Sequence, residues 1–224
     1  MIQSMKRLVI FGIGQIAEVA HYMFAEDSNY DVAGFTVDDD YRDRNEHLGL
    51  PVFPFERLQD SHSPDEFVLF VAMGFGKVNE QREAKLAEAR ANGYDFASYI
   101  SSSAWVWRGY EAQPNTMVME HNTIQPYVTI GENSILWSGN HIGHHSKIGK
   151  NVFIASHAVL SGAVSIGDNC FIGVNATIRD NVALGSHCVV GAGALIVNNA
   201  RDRTVFPGAA TQASKVPSNR LRSI

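Results

Sequence analysis

The sequence predicts a small parallel α/β domain, Rossmann-like in its opening, that leads into a parallel β-helix. Three observations carry that expectation. Every sixth residue from Val118 to Ile196 is aliphatic: Val118, Ile124, Ile130, Leu136, Ile142, Ile148, Ile154, Leu160, Ile166, Ile172, Ile178, Leu184, Val190 and Ile196. Four positions after each stands a mostly small residue, among them Ser134, Ser146, Ala158, Cys170, Ala176, Cys188 and Ala194. Upstream of the repeat, apolar runs alternate with helical patterns, and the first run ends in a glycine turn.

The period-six alternation of large and small is the hexapeptide signature of a β-helix. Six residues make one short strand and one corner. The aliphatic fills the interior, and the small residue lets the next corner close over it. Three faces fit around such an interior, so residues 18 apart stack at roughly the 4.8 Å inter-strand spacing. The stretch from Val118 to Ala200 then makes between four and five coils. The third position after the aliphatic is Asn133, Gly139, Asn151, Asn169, Asn175, Asn181, Gly193 and Asn199, residue types that tolerate the positive φ of a tight corner. One outer face carries Met117, Ile135, Phe153, Phe171 and Val189 in a vertical stripe, while another carries Thr129, Lys147, Ser165 and Ala183. Five large apolar residues in a ladder predict a subunit interface along the first of these faces.

In chain order, Arg7 to Phe11 reads as a strand that runs into Gly12-Ile13-Gly14-Gln15-Ile16-Ala17 and a helix to about Phe24. Asp31 to Val37 is a second strand ending in Asp38, Asp39 and Asp40; Glu66 to Met73 is a third; Asn79 to Asn92 is a helix; and Asp95 to Ile100 is a fourth strand. Alternation of this kind implies a parallel sheet. The glycine turn admits a phosphate to a helix N-terminus, so a nucleotide or nucleotide sugar at the carboxyl ends of the strands is one reading, and a turn that only packs helix on sheet is the other. A domain of about 100 residues is half of a full dinucleotide fold, which argues against NAD. The boundaries read as 1–103 for the α/β domain, 104–203 for the β-helix and 204–224 for a tail that caps the open prism.

At 224 residues, 45% apolar and with a formal charge of -5, the chain has no basic run for nucleic acid and no apolar run long enough for a membrane span. No signal-peptide pattern precedes Lys6 and Arg7, so a cytoplasmic protein is expected. Cys170 and Cys188 occupy the same inward slot on adjacent coils and are expected as free, buried thiols.

Six of the nine histidines lie in the repeat region. His145, His157 and His187 fall in the corner slot and read as positive-φ fillers, whereas His141 points outward beside Thr123, Val159 and Thr177. His144 stands in a slot otherwise filled by Glu132, Ser138, Lys150, Ser156, Gly162, Asp168, Val174, Asp180 and Ser186. A neutral imidazole projecting from a corner is suited to proton abstraction. A zinc site built from His141, His144, His145 or His157 is the alternative, as in β-helical carbonic anhydrases.

With these features the chain resembles the hexapeptide-repeat sugar acyltransferases, in the branch of sialic acid O-acetyltransferases and of bacillosamine- and perosamine-type N-acetyltransferases. Leu8 to Ala17, Gly34 to Asp40, Val71 to Arg82 and the whole repeat carry the resemblance. It implies a left-handed β-helix, against the usual crossover hand, and a homotrimer with acetyl-CoA between neighbouring prisms. It also implies a catalytic histidine four residues before an Ile-Gly pair, here His144 before Ile148-Gly149, with His145 in place of the usual carboxylate. A second family histidine aligns with Phe153. By the same resemblance, the pantetheine arm makes main-chain hydrogen bonds near Gly162, Ala163, Gly173, Gly191 and Ala192, and Lys215 or Arg203 meets the CoA phosphates. Gly12, Gly14, Gln15 and Asp38 hold the nucleotide-linked sugar.

The expected activity is acetyl-CoA-dependent N-acetylation of a nucleotide-linked amino sugar for surface glycan biosynthesis, with no metal. O-acetylation of a sugar hydroxyl, a metal-dependent hydratase and a non-catalytic nucleotide-sugar scaffold are the alternatives.

Overall fold

The computed structural model describes residues 6–208 and 210–220. The N-terminal sheet has the order β3-β4-β2-β1-β5, with β1 Lys6–Phe11, β2 Tyr30–Val37, β3 Glu46–His47, β4 Leu50–Pro54 and β5 Phe67–Val71. It is parallel except for the short β3–β4 pair. Helix α1, Gln15–Glu26, follows β1, and helix α2, Glu80–Ala91, follows β5. Side chains of β1 alternate between two cores: Leu8 and Ile10 pack with Phe24 and Phe35 beneath α1, whereas Val9 and Phe11 pack with Phe55 and Leu86 beneath α2.

Two elements differ from the expectation. The β3–β4 hairpin, not evident as strands in the sequence, extends the sheet beyond β2. The fourth strand shrinks to a single bridge between Phe96 and Leu69, because Tyr99–Ile100 leaves the sheet and pairs instead with Met117–Val118 as a rung of the β-helix.

From there the chain winds as a three-sided prism of two-residue strands. Partners are 18 apart on every face: Ile135 with Phe153, His141 with Val159, Lys147 with Ser165. Face one runs from Tyr99 to Phe206, face two from Trp105 to Ile196, and face three from Thr129 to Leu184. The rungs thus begin before residue 104 and end after 203. The aliphatic series forms one interior column with the small residues between its members. Each fully buried aliphatic contributes on the order of 1.5–3 kcal/mol. Positive φ recurs at the third corner position, including His145, His157 and His187, but stops before Asn199, where the hexad ends. Cys170 and Cys188 are free and buried, and burial pushes the Cys170 thiol up to about 12.

The apolar ladder on face one has a different partner from the one expected. Met117 and Ile135 are 0% exposed and Phe153 is 5% exposed because the chain's own N-terminal domain covers them. Phe171 packs partly against the same cluster, and the upper rung Val189 is half-buried. The stripe is therefore an interdomain seam on its lower rungs. On those rungs it is not open as the subunit surface predicted for the whole stripe. The tail also departs from a cap: Val205–Phe206 adds one rung on face one, and residues 210–220 are exposed. Residues 221–224 of that tail lie outside the described residues. Among the described residues no helix is long and apolar enough to cross a membrane.

Candidate active site

His144 and His145 occupy the corner between faces two and three, the corner opposite face one. Both are exposed. His145 has φ 60°, a conformation that histidine accepts better than most residues. Its ring lies 4.7 Å from that of Tyr127, one coil below. The His144 amide donates to Gln125 Oε1 at 2.9 Å. On the next coil, a Cβ added to Gly162 would stand 2.7 Å from His144 Cε1, so glycine is what lets the imidazole lie against the main chain.

The two histidines meet through Nδ1 atoms 3.1 Å apart. Two lone pairs at that distance repel, so one nitrogen carries the proton and the other accepts it. When His144 is the donor, its Nε2 holds a free lone pair. His145 then does for the tautomer what a carboxylate does elsewhere, without a charge.

The residues expected to cradle the acyl donor divide between two corners. Gly162 and Ala163 share the His144 corner, whereas Gly173, Gly191 and Ala192 stack at the corner between faces one and two. Several of their amides are already committed. The Gly162 N–H donates to Asp180 Oδ1 (2.9 Å), that of Ala163 to the His144 carbonyl (2.8 Å), that of Gly173 to Val190 (2.7 Å) and that of Gly191 to Phe206 (2.7 Å). Small side chains clear the surface at these corners, while the prism itself uses the N–H groups of Gly162, Ala163, Gly173 and Gly191. Lys215 is exposed on the tail, away from any ion pair among the described residues.

In the α/β domain, Gly12, Gly14 and Asp38 line one cavity of about 680 Å³, with Lys85, Glu88, Tyr41, Met73 and Gly74. Gly12 has φ 120° and touches Ala72, so a side chain there is doubly excluded. Gly14 precedes α1 without a side-chain cap, leaving the first amides of the helix for an anion. Lys85 Nζ lies 2.6 Å from Asp38 and also bonds Glu88, beside the rings of Phe11 and Phe55. Burial alone lowers its pKa, but the two carboxylates outweigh that and hold the ammonium above the ordinary lysine value. Gln15 lies across the turn in a second cavity of about 440 Å³, between α1 and face one, with Phe75, Trp137, Phe153 and Ser156. The family's second histidine position, Phe153, is thus part of an aromatic wall. Sequence reasoning missed Lys85 and Trp137. Lys85 sits on a helix whose pattern reads as a solvated face, and the signal for Trp137 is that it breaks the slot held by Gly131, Gly143, Gly149, Gly167, Gly173, Gly185 and Gly191. No group of three or more His, Cys, Asp or Glu side chains converges among the described residues.

A prism of hexads with a histidine pair at one corner, joined to a nucleotide-sized cavity on an α/β domain, defines an acyltransferase of the β-helix class. The comparisons agree: two family models match consecutive stretches, bacterial transferase hexapeptide (six repeats) over residues 127–162 and hexapeptide repeat of succinyl-transferase over 163–197. Together they cover the repeat region, and the chain is an acyltransferase that uses acetyl-CoA, built on a left-handed β-helix. A mutant of perosamine N-acetyltransferase from Caulobacter crescentus, solved with CoA and GDP-perosamine, is similar at 26% identity and TM-score 0.80 over 90% of this chain and 93% of that one. The acetyltransferase domain of PglB from Neisseria gonorrhoeae, solved with acetyl coenzyme A, is similar at 26% identity and TM-score 0.70 over 91% and 96%. WeeI from Acinetobacter baumannii shares the fold at 17% identity and TM-score 0.64 over 90% and 96%. No curated protein sequence matches.

Proposed function

We propose that this sugar acetyltransferase transfers the acetyl group of acetyl-CoA to the amino group of a nucleotide-linked amino sugar, with His144 as general base. The observation that carries the reading is the His144–His145 contact beside Gly162, which leaves Nε2 of an exposed imidazole as an acceptor at a corner cleared of side chains. The amine attacks the thioester carbon while His144 Nε2 takes its proton. Collapse of the tetrahedral species expels CoA thiolate, and no acyl-enzyme is needed. A main-chain amide stabilises the oxyanion.

The cavity between Gln15 and Trp137 sits over face one, and His144 sits on the opposite corner. A sugar bound between Gln15 and Trp137 of one chain is therefore served by His144 of a second copy, and a homotrimer with its acyl donor between prisms supplies that arrangement. Two of the similar enzymes were solved with CoA or acetyl-CoA, and one of them also with GDP-perosamine, which supports both substrates. Two free thiols fit a reducing, cytoplasmic setting for glycan assembly.

Thiol release from acetyl-CoA, followed across UDP-, GDP- and dTDP-linked amino sugars with hydroxyl-only controls, tests the reading. Turnover confined to amino sugars is expected. Turnover on hydroxyl sugars alone would replace it with O-acetylation.

A further inference from the structure

Helix α2 lies along the corner between faces three and one, and its residues meet successive coils in turn. Glu80 stands 3.5 Å from His187, Glu83 accepts from Asn169, and Arg90 reaches Glu132. The rise from residue 80 to 90 is about 15 Å at 1.5 Å per residue. Three coil spacings come to about 14 Å. Helix and prism are commensurate, and on the prism side the corner asparagines 115, 133, 151 and 169 form a buried side-chain ladder.

Arg82 is buried at the middle of this seam, 0% exposed. All its hydrogen bonds run to neutral acceptors: Nε to the Asn133 carbonyl (3.1 Å), Nη2 to the Asn151 carbonyl (3.0 Å), and Nη1 to the Gly74 carbonyl (2.8 Å) and Asn79 Oδ1 (3.0 Å). Burial draws its pKa down to about 9. Asn79, equally buried, donates to the carbonyls of Asn169 and Cys170. The loop they hold is strained, since Lys77, Val78 and Asn79 have φ of 49°, 53° and 68°. Three successive left-handed residues with Cβ atoms, one of them β-branched, persist only where the surroundings over-determine them. The same loop separates the two cavities: Gly74 lines the first and Phe75 the second, its ring 4.7 Å from that of Phe171.

We propose that Arg82, backed by Asn79, is a positioning residue: it fastens the loop Gly74–Asn79 to the main chain of two β-helix coils and so sets where the nucleotide-linked sugar lies against the prism. Only the second clause rests on the functional reading above. An arginine suits the task because its planar fork reaches carbonyls of two coils and of the loop at once, which the single ammonium of lysine does not.

The test compares wild type, Arg82→Lys and Val78→Gly as full chains by hydrogen exchange, by titration with GDP, UDP and dTDP, and by steady-state kinetics. In Arg82→Lys, amides of residues 74–79 exchange at least tenfold faster while the interior rungs keep their protection. KM for the nucleotide sugar rises tenfold or more, and KM for acetyl-CoA stays within twofold. In Val78→Gly, which relieves the backbone but leaves Arg82 in place, the loop keeps its protection. A folded Arg82→Lys protein with unchanged loop exchange and unchanged KM overturns the proposal, as does a Val78→Gly loop that opens despite Arg82. If Arg82→Lys does not fold, Asn79→Ala takes its place with the same expected split. If wild type binds no nucleotide and shows no turnover, the functional reading fails, and loop exchange alone still decides whether Arg82 is the fastener.

Discussion

His144 and His145 face each other through Nδ1 at 3.1 Å, and both side chains are exposed. His145 thus stands in the slot where the resembled family places a carboxylate, and with the proton on His144 Nδ1 it is the acceptor of that bond. His144→Ala is expected to lower turnover about 10²- to 10⁴-fold, the contribution of a positioned general base. His145→Ala should cost roughly 10- to 100-fold, the usual effect of losing an orienting partner. His145→Asp, which tolerates φ 60° and restores an acceptor, should retain activity. Steady-state assays of the three variants check this; a His145→Ala enzyme with full turnover would remove His145 from the site.

Gly162→Ala places a methyl 2.7 Å from His144 Cε1. The imidazole is the movable partner, so the ring swings and the fold remains. A displacement of about 1 Å can cost on the order of 10²-fold in rate. Turnover should fall by that order with the melting temperature nearly unchanged, measured on the same preparation.

Ile135 belongs to the interdomain seam. Ile135→Ala should destabilise the chain by about 2–5 kcal/mol and leave the oligomer intact at temperatures where it is folded. Leu195, 67% exposed on face two, should behave oppositely: Leu195→Glu keeps stability and weakens assembly. Denaturation together with sedimentation separates the two effects.

Burial lowers the pKa of His21 and of His62, with His47 adding to the first and Arg7 to the second. For a base depressed in the native state, the unfolded chain takes up protons first as pH falls. The stability they contribute is complete above about pH 6.5 and declines as pH drops toward their native values. Melting temperatures should fall between about pH 7 and 5, and the double variant His21→Gln, His62→Gln should flatten that slope.

The β-helix was legible because its interior repeats: each hexad buries the same aliphatic against the same small residue, so Leu160 or Cys188 declares its position by period alone. His144 was legible for the same reason, as a residue type breaking its own column. The cavity of the α/β domain was half legible. Gly12 and Gly14 are marked by the turn they make, whereas Lys85 reads as a solvated helical lysine until Asp38 and Phe11 are seen around it.

What the sequence determined by itself is the local and periodic part: strand, glycine turn, helix, the coil length, the inward column and the odd histidine pair. Tertiary structure alone decided what covers the outward ladder. Met117, Ile135 and Phe153 read as an exposed stripe because period tells inside from outside, but not which element more than 80 residues upstream, here the α1 side of the sheet, comes to lie on them. Burial between distant segments depends on how two finished surfaces fit. For that reason Arg82, whose bonds across the seam run to main-chain carbonyls of the prism, left no trace in the order of residues.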